Sequence, residues 1–188
     1  MTSRMQYMKI IARLAVIMVS LLSLNAAIAD SQSLLEQDSR AALQTLYAKT
    51  PAAKKVGETA KGILVFPNIV KAGFVLGAQG GDGVLIENGQ VAGFYNTKAV
   101  SYGLQAGVQK FGYALFFMSD SALANLKTSS GFELGVGPSV VIVDSGKARS
   151  LTTTTLQSDI YGFIFSQKGL MAGLGLQGTK ITPYTPSR

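Results

Sequence analysis

Asp82, Glu87, Asp120, Asp144 and Asp159 are among the residues of this chain whose types could perform acid–base or nucleophilic chemistry. Two carboxyl groups held at a fixed separation suffice to protonate and attack a glycosidic bond. The positions of these five suit plainer work, because most sit in expected turns or at element ends, where acidic residues make turns and cap helices. The sequence contains no histidine and no cysteine. That removes the Ser/His/Asp and Cys/His nucleophile systems and the usual nitrogen and sulfur ligands of zinc. No catalytic residue, metal site or cofactor is expected, and a carboxylate-based hydrolase is the third of three readings.

Glycine spacing raises a second possibility. The run "GLGLQG" from Gly173 to Gly178 has the G-x-G-x-x-G pattern that elsewhere holds a dinucleotide pyrophosphate at a helix N-terminus. That fingerprint also needs a following helix and an acidic residue about 20 positions on. The residues after Gly178 include Pro183 and Pro186 and no acid, so the cofactor reading fails. "GAQGGDG" at Gly77 to Gly83 lacks the G-K-[ST] ending of a phosphate-binding loop and reads as a turn.

Basic residues give the strongest signal. Arg4, Lys9 and Arg13 precede the apolar run "LAVIMVSLLSL" and the small-residue stretch "NAAIAD". This is the order of a secretory signal peptide over residues 1–29, with Ala27 and Ala29 at the A-x-A cleavage positions and a single domain from residue 30 to 188. The apolar run is shorter than the roughly 20 residues that span a bilayer. Once the leader is set aside, the positive excess of the remainder lies between Lys49 and Lys71, where Lys49, Lys54, Lys55, Lys61 and Lys71 face one acid, Glu58. A clustered excess of this kind suits a polyanionic surface, at about 1 kcal/mol per basic residue near an anionic membrane.

The elements that must position these residues change character along the chain. Residues 31–48 read as an amphipathic helix, with Leu35, Ala42, Leu43 and Leu46 on one side and Glu36, Gln37, Arg40 and Gln44 on the other. The acids on its polar face are unlike an interfacial membrane helix, which is basic there. Thr50–Pro51 predicts a second short helix, "PAAKKVGETA", with a capping hydroxyl and a first-turn proline.

From Gly62 the period falls to two. The runs "GILVF", "KAGFVLGAQ", "GVLIE", "QVAGFY", "VSYGLQAGVQ", "GYALFFM", "FELGVG", "SVVIVD", "RSLTTTTL", "DIYGFIF" and "GLMAGLGLQ" read as short strands. Asn88–Gly89 predicts a two-residue type I′ hairpin, and "VIVDSGKARSL" a second hairpin. One two-turn helix, capped by Ser119 or Asp120, interrupts them. Helices first and sequential strands afterwards predict a mainly β, α+β fold: a curved antiparallel barrel or barrel-like sheet with N-terminal helices and one short internal helix. Glycines alternate with apolar residues around Gly73 and Gly77, Gly103 and Gly107, Gly135 and Gly137, and Gly169 to Gly175. Such glycines let a sheet coil tightly or let another group approach.

The blocks "AKGILVFPNIVKAGFVLG", "GFYNTKAVSYGLQAGVQKFGYALFFM", "ELGVGPSVVIVD" and "QKGLMAGLGLQGTKIT" together resemble the SYLF domain family, the Ysc84-type lipid-binding and actin-binding domain. The resemblance runs from about Leu43 to Pro183. It implies a β-rich module without catalytic activity that binds phosphoinositide or anionic lipid through the basic N-terminal region, which here points to Lys54, Lys55, Lys61 and Lys71, with Lys49 beside them. The leader departs from the eukaryotic pattern, as does the absence of an attached SH3 or FYVE module. An exported chain would not meet actin, and no nucleic-acid partner is expected. The leading expectation is therefore a periplasmic or secreted module, peripherally associated with an anionic phospholipid surface. The second reading is a small outer-membrane structural β-barrel.

Overall fold

The computed structural model describes residues 31–143, 157–169, 176 and 178–184. Leu35–Thr185 form one compact unit; of the other, Met1–Leu34 with Pro186–Arg188, only the helical residues 31–34 are described. The leader over residues 1–29, Asp144, the second hairpin beyond Val143, the strand "RSLTTTTL" and most of "GLMAGLGLQ" lie outside the described residues.

Helix α1 covers residues 31–49 and α2 covers Pro51–Thr59. They are followed by β1 (Gly62–Glu87), β2 (Gln90–Phe117), α3 (Asp120–Thr128), β3 (Phe132–Glu133), β4 (Val140–Val143), β5 (Ile160–Gly169) and β6 (Lys180–Pro183). The fold is mainly β, and its sheet curls into half a barrel. β2 is central. β1 pairs with it along one side; β6, then β3, pair with its start, and β5, then β4, with its end.

What reads in sequence as six short strands is one pair of long ribbons. β1 and β2 run antiparallel from Gly62↔Phe117 to Glu87↔Gln90, interrupted by register shifts at Phe66/Ile69, Phe74/Leu76 and Leu85/Ile86. The shifts bend the ribbon without ending it, as β-bulges do. The turn is the expected Asn88–Gly89, with φ of 49° and 77°, the double positive φ of a type I′ turn.

Glycine makes the curl possible where β1 meets itself. A Cβ on Gly83 would lie 2.6 Å from the carbonyl oxygen of Val65, and one on Gly81 would lie 2.5 Å from that of Asn68. The two ends of one strand therefore pass at backbone contact, an approach that any side chain would block.

Two expectations are corrected. β4 pairs with β5 in parallel, so the sheet is not antiparallel throughout. "FELGVG" is a strand only at Phe132–Glu133; Gly135 and Gly137 have φ of 97° and 91°, and the chain turns there instead of alternating. The parallel pair and the helices on the sheet's outer face also differ from a closed, lipid-faced antiparallel transmembrane barrel. Among the described residues no helix is long and apolar enough to cross a membrane.

Apolar packing lies on both sides of the sheet. On the concave side Leu64, Phe66, Leu85, Tyr113, Leu115 and Phe117 pack with Leu123 and Leu126 of α3, and with Phe132 and Ile181. On the convex side Val65, Val84, Phe116, Phe163 and Phe165 pack with Leu46 of α1 and Ala53 and Val56 of α2, with Leu35, Ala42 and Leu43 beside them. Burying each large side chain contributes about 1.5–3 kcal/mol, which explains how the two helices stay on a sheet without cross-links. The predicted leucine stripe of α1 is thus spent on the sheet. Arg40 adds a tether, holding Glu36 at 2.8 Å and donating to the carbonyl of Gly89 at 3.0 Å. Thr50 caps α2 through its backbone, since Ala53 N donates to Thr50 O at 2.9 Å and the hydroxyl makes no capping bond.

Candidate functional site

Two breaks in the ladders coincide beside α1. Pro67 and Asn68 fall in the β1 shift, where proline cannot donate to a neighbour. The β2–β5 register shifts between Lys110 and Gly112, and Ser166 on β5 has φ of 54°. Gly112 is required here: a Cβ on it would run into the Phe165 ring and lie 2.9 Å from Pro67 O. The breaks open a cavity of about 550 Å³, in the size range of small-ligand sites.

Lys49, Lys110 and Lys168 line this cavity together with Asp38, Thr45, Asn68, Ser166 and Gln167. Lys110 and Lys168 are direct cross-strand partners. Like charges placed opposite one another destabilise a sheet unless something neutralises them. Neither ammonium has an ion pair among the described residues. The arrangement is a concave, exposed set of cations with hydroxyl and amide groups between them, suited to a phosphate or other oxyanion.

The five lysines singled out in the sequence do not converge. Lys49 lines the cavity. Lys54 and Lys55 are exposed on α2. Lys61 is exposed and lies 3.8 Å from Asp120 Oδ2. Lys71 is buried on the concave side of the sheet, away from the face that carries Lys110. Lys110 and Lys168 were missed because their charges are balanced along the chain; the available signal was the repeated "QKxG/QKG" context in "VQKFGY" and "SQKGLM".

The carboxylates that could have formed a catalytic pair hold structure. Asp159 accepts from Ser119 Oγ at 2.9 Å and from Ser139 N and Oγ at 3.0 and 2.9 Å. These bonds, those from Ser139 first, hold its carboxyl below the usual carboxylate range. Asp159 thereby joins the start of β5 to the residue before β4 and to the N-cap of α3, where Ser119 Oγ also accepts from Ala122 N at 3.3 Å. Asp82 accepts from Asn96 Nδ2 at 2.6 Å, and Glu87 pairs with Lys127 at 2.8 Å. Among the described residues no group of His, Cys, Asp or Glu is arranged to hold a metal ion.

Comparison with protein families places part of the chain. Residues 98–186 match the family described as Ysc84, Las17-binding protein actin regulator. The matched stretch begins within β2 and takes in α3 and β3–β6, and with them Lys110 and Lys168. Lys49 to Lys71 lie ahead of it. No curated protein matches the chain.

Proposed function

We propose, from the premise that residues 98–186 are a Ysc84-type (SYLF) domain, that this chain is a non-enzymatic module for anionic lipid, seating a phosphate-bearing headgroup between Lys49, Lys110 and Lys168. The observation that carries this reading is the Lys110–Lys168 cross-strand pair at the rim of a cavity. A pair of facing ammonium groups costs stability in the empty protein and gains it when an oxyanion lies between them. The domain family is a binding family, which agrees with the structural partners of Asp82, Glu87 and Asp159. The leader pattern in the first 29 residues supports action at the envelope, after export, with the domain peripheral to the bilayer. Lys54, Lys55 and Lys61 add long-range attraction, each screened within a Debye length of about 10 Å at 0.1 M salt.

Co-sedimentation with phosphatidylcholine vesicles, with and without phosphatidylglycerol and over a series of salt concentrations, tests this. The expected result is binding that requires the anionic lipid, weakens with salt, and falls at least tenfold in Lys110→Glu and Lys168→Glu but less in Lys54→Glu. Equal losses in all three variants would leave general charge as the explanation and remove the cavity from it.

A further inference from the structure

Midway along the β1–β2 ribbon the usual distribution of polarity is inverted. The convex face carries Val70, Leu76, Val100 and Val108, all exposed, with Leu76 at 55%, Val100 at 72% and Val108 at 59%. Ala72 pairs with Val108 and Ala78 with Val100, so these side chains lie on the same side of the ribbon, on either side of the bend at the Phe74/Leu76 register shift. On the opposite side Lys71, Gln79, Thr97, Gln109 and Thr179 are polar residues that are buried. In water such a sheet is inside out.

The same face is covered farther along the ribbon by α1 and α2, over Val84 and Phe116. Among the described residues nothing covers the middle stretch. Its ends are basic. Lys110 with its partner Lys168 stands beyond Val108, and Lys98 with its partner Lys180 stands beyond Val100. Glu133 neighbours Lys180 across the ladder, Asp82 lies two residues past Gly80, and Asp38 lines the cavity at the Lys110–Lys168 end, so the acids stand at or past the two ends. Between Val70 and Gly80, and between Lys98 and Lys110, the sequence contains no acid.

We infer that this convex stretch is the surface that enters the bilayer: Val70, Leu76, Val100 and Val108 immerse in the interfacial and acyl region while the two lysine pairs meet anionic headgroups. The inference rests on the lipid-binding reading above and adds to it the orientation of the domain and an apolar contribution that salt does not remove. An apolar face bordered by lysine is the composition of interfacial membrane segments, built here on a ribbon instead of a helix. A second copy of the chain fits less well, because a self-paired face would bring the lysine pairs of the two copies together.

The chain has no tryptophan, so Leu76→Trp supplies a single reporter at an exposed position, and Ala124→Trp on the exposed side of α3 supplies a control. With phosphatidylcholine–phosphatidylglycerol vesicles, the Leu76→Trp emission is expected to shift to the blue and to be quenched by brominated acyl chains, and the control to do neither. The double variant Leu76→Asp, Val100→Asp should keep its thermal midpoint and lose vesicle affinity at least tenfold. Lys110-dependent co-sedimentation with an unshifted, unquenched Leu76→Trp signal would overturn the inference and leave the headgroup cavity standing. A blue shift that appears without vesicles and grows with protein concentration would overturn it in favour of a second copy. Failure of the unsubstituted protein to co-sediment would overturn both readings.

Discussion

Lys71 and Gln109 stand opposite each other across the β1–β2 ladder, both on the buried side of the sheet, Lys71 at 4% exposure and Gln109 at 3%. Gln109 Oε1 meets no donor, and Lys71 has no ion pair among the described residues. Burying an ammonium without a carboxylate costs several kcal/mol unless its charge is answered. Replacing it by a side chain of similar length and no charge removes that cost. Lys71→Met is therefore expected to stabilise the protein by about 1–2 kcal/mol in urea denaturation, with vesicle affinity changed less than twofold. A drop in stability would mean that the ammonium is answered within the fold.

The closure of β1 on itself predicts a sharp difference between neighbouring glycines. Gly83→Ala places a methyl group 2.6 Å from Val65 O, where only backbone could yield, whereas a Cβ on Gly80 would approach no nearer than 3.3 Å to Thr97 O. Overpacking of this kind costs about 1–3 kcal/mol. Gly83→Ala should lie in that range and Gly80→Ala well below it. Equal midpoints for the two variants would show that the curl does not depend on the contact.

These glycines also show what was legible in the sequence and what was not. The Asn88–Gly89 turn, the Ser119 cap and the α1 leucine stripe could be read because each depends on residues within one turn or two of each other. The length of β1 and β2 could not: glycines that read as strand ends are points where a continuous ribbon bends. Lys71 received its face from the Pro67–Asn68 bulge, where β1 gains one residue and β2 does not, since a shift of one residue exchanges the two sides of a strand. The Lys110–Lys168 pair depends on register between strands separated by α3, β3 and β4, and local spacing carries no such information. "FELGVG" alternates like a strand, yet the left-handed φ values at Gly135 and Gly137 turn it.

Asp159 predicts a pH dependence. Its folded-state pKa is lowered by the bonds from Ser139 and Ser119. A carboxyl group whose pKa falls on folding binds fewer protons in the native state, so its stabilisation is complete above the ordinary carboxylate value and is lost as the pH falls through the lowered one. The wild type should therefore lose stability on acidification below that ordinary value, and Asp159→Asn should lose less across the same window, starting from a lower stability at neutral pH. Parallel pH profiles for the two proteins would assign the acid sensitivity elsewhere.

Tyr47 gives an alkaline counterpart. Burial between α1 and the sheet, with Glu58 nearby, pushes its phenol up to about 12, and its ring lies 6.3 Å from that of Phe116. A phenol with a raised folded pKa contributes stability that is full below its ordinary value near 10 and is lost as the pH rises toward 12. Spectrophotometric titration should show an absorbance step missing from Tyr47→Phe in that upper range. A step near the ordinary tyrosine value would place the ring in water and detach α1 from the convex face.

Asp38 is the one carboxylate among the described residues that line the lysine cavity. A negative charge there offsets part of the field that Lys49, Lys110 and Lys168 present, and it repels the phosphate they would hold. A charge at a partly exposed site of this kind is worth about 0.3–1 kcal/mol. Asp38→Asn is expected to raise affinity for phosphatidylglycerol-containing vesicles about two- to fivefold at low salt, with the gain shrinking as salt is added. Its effect should disappear in the Lys110→Glu background, because the two substitutions then act on a site that no longer binds. An unchanged affinity in Asp38→Asn, or the same gain in both backgrounds, would place the bound headgroup outside this cavity.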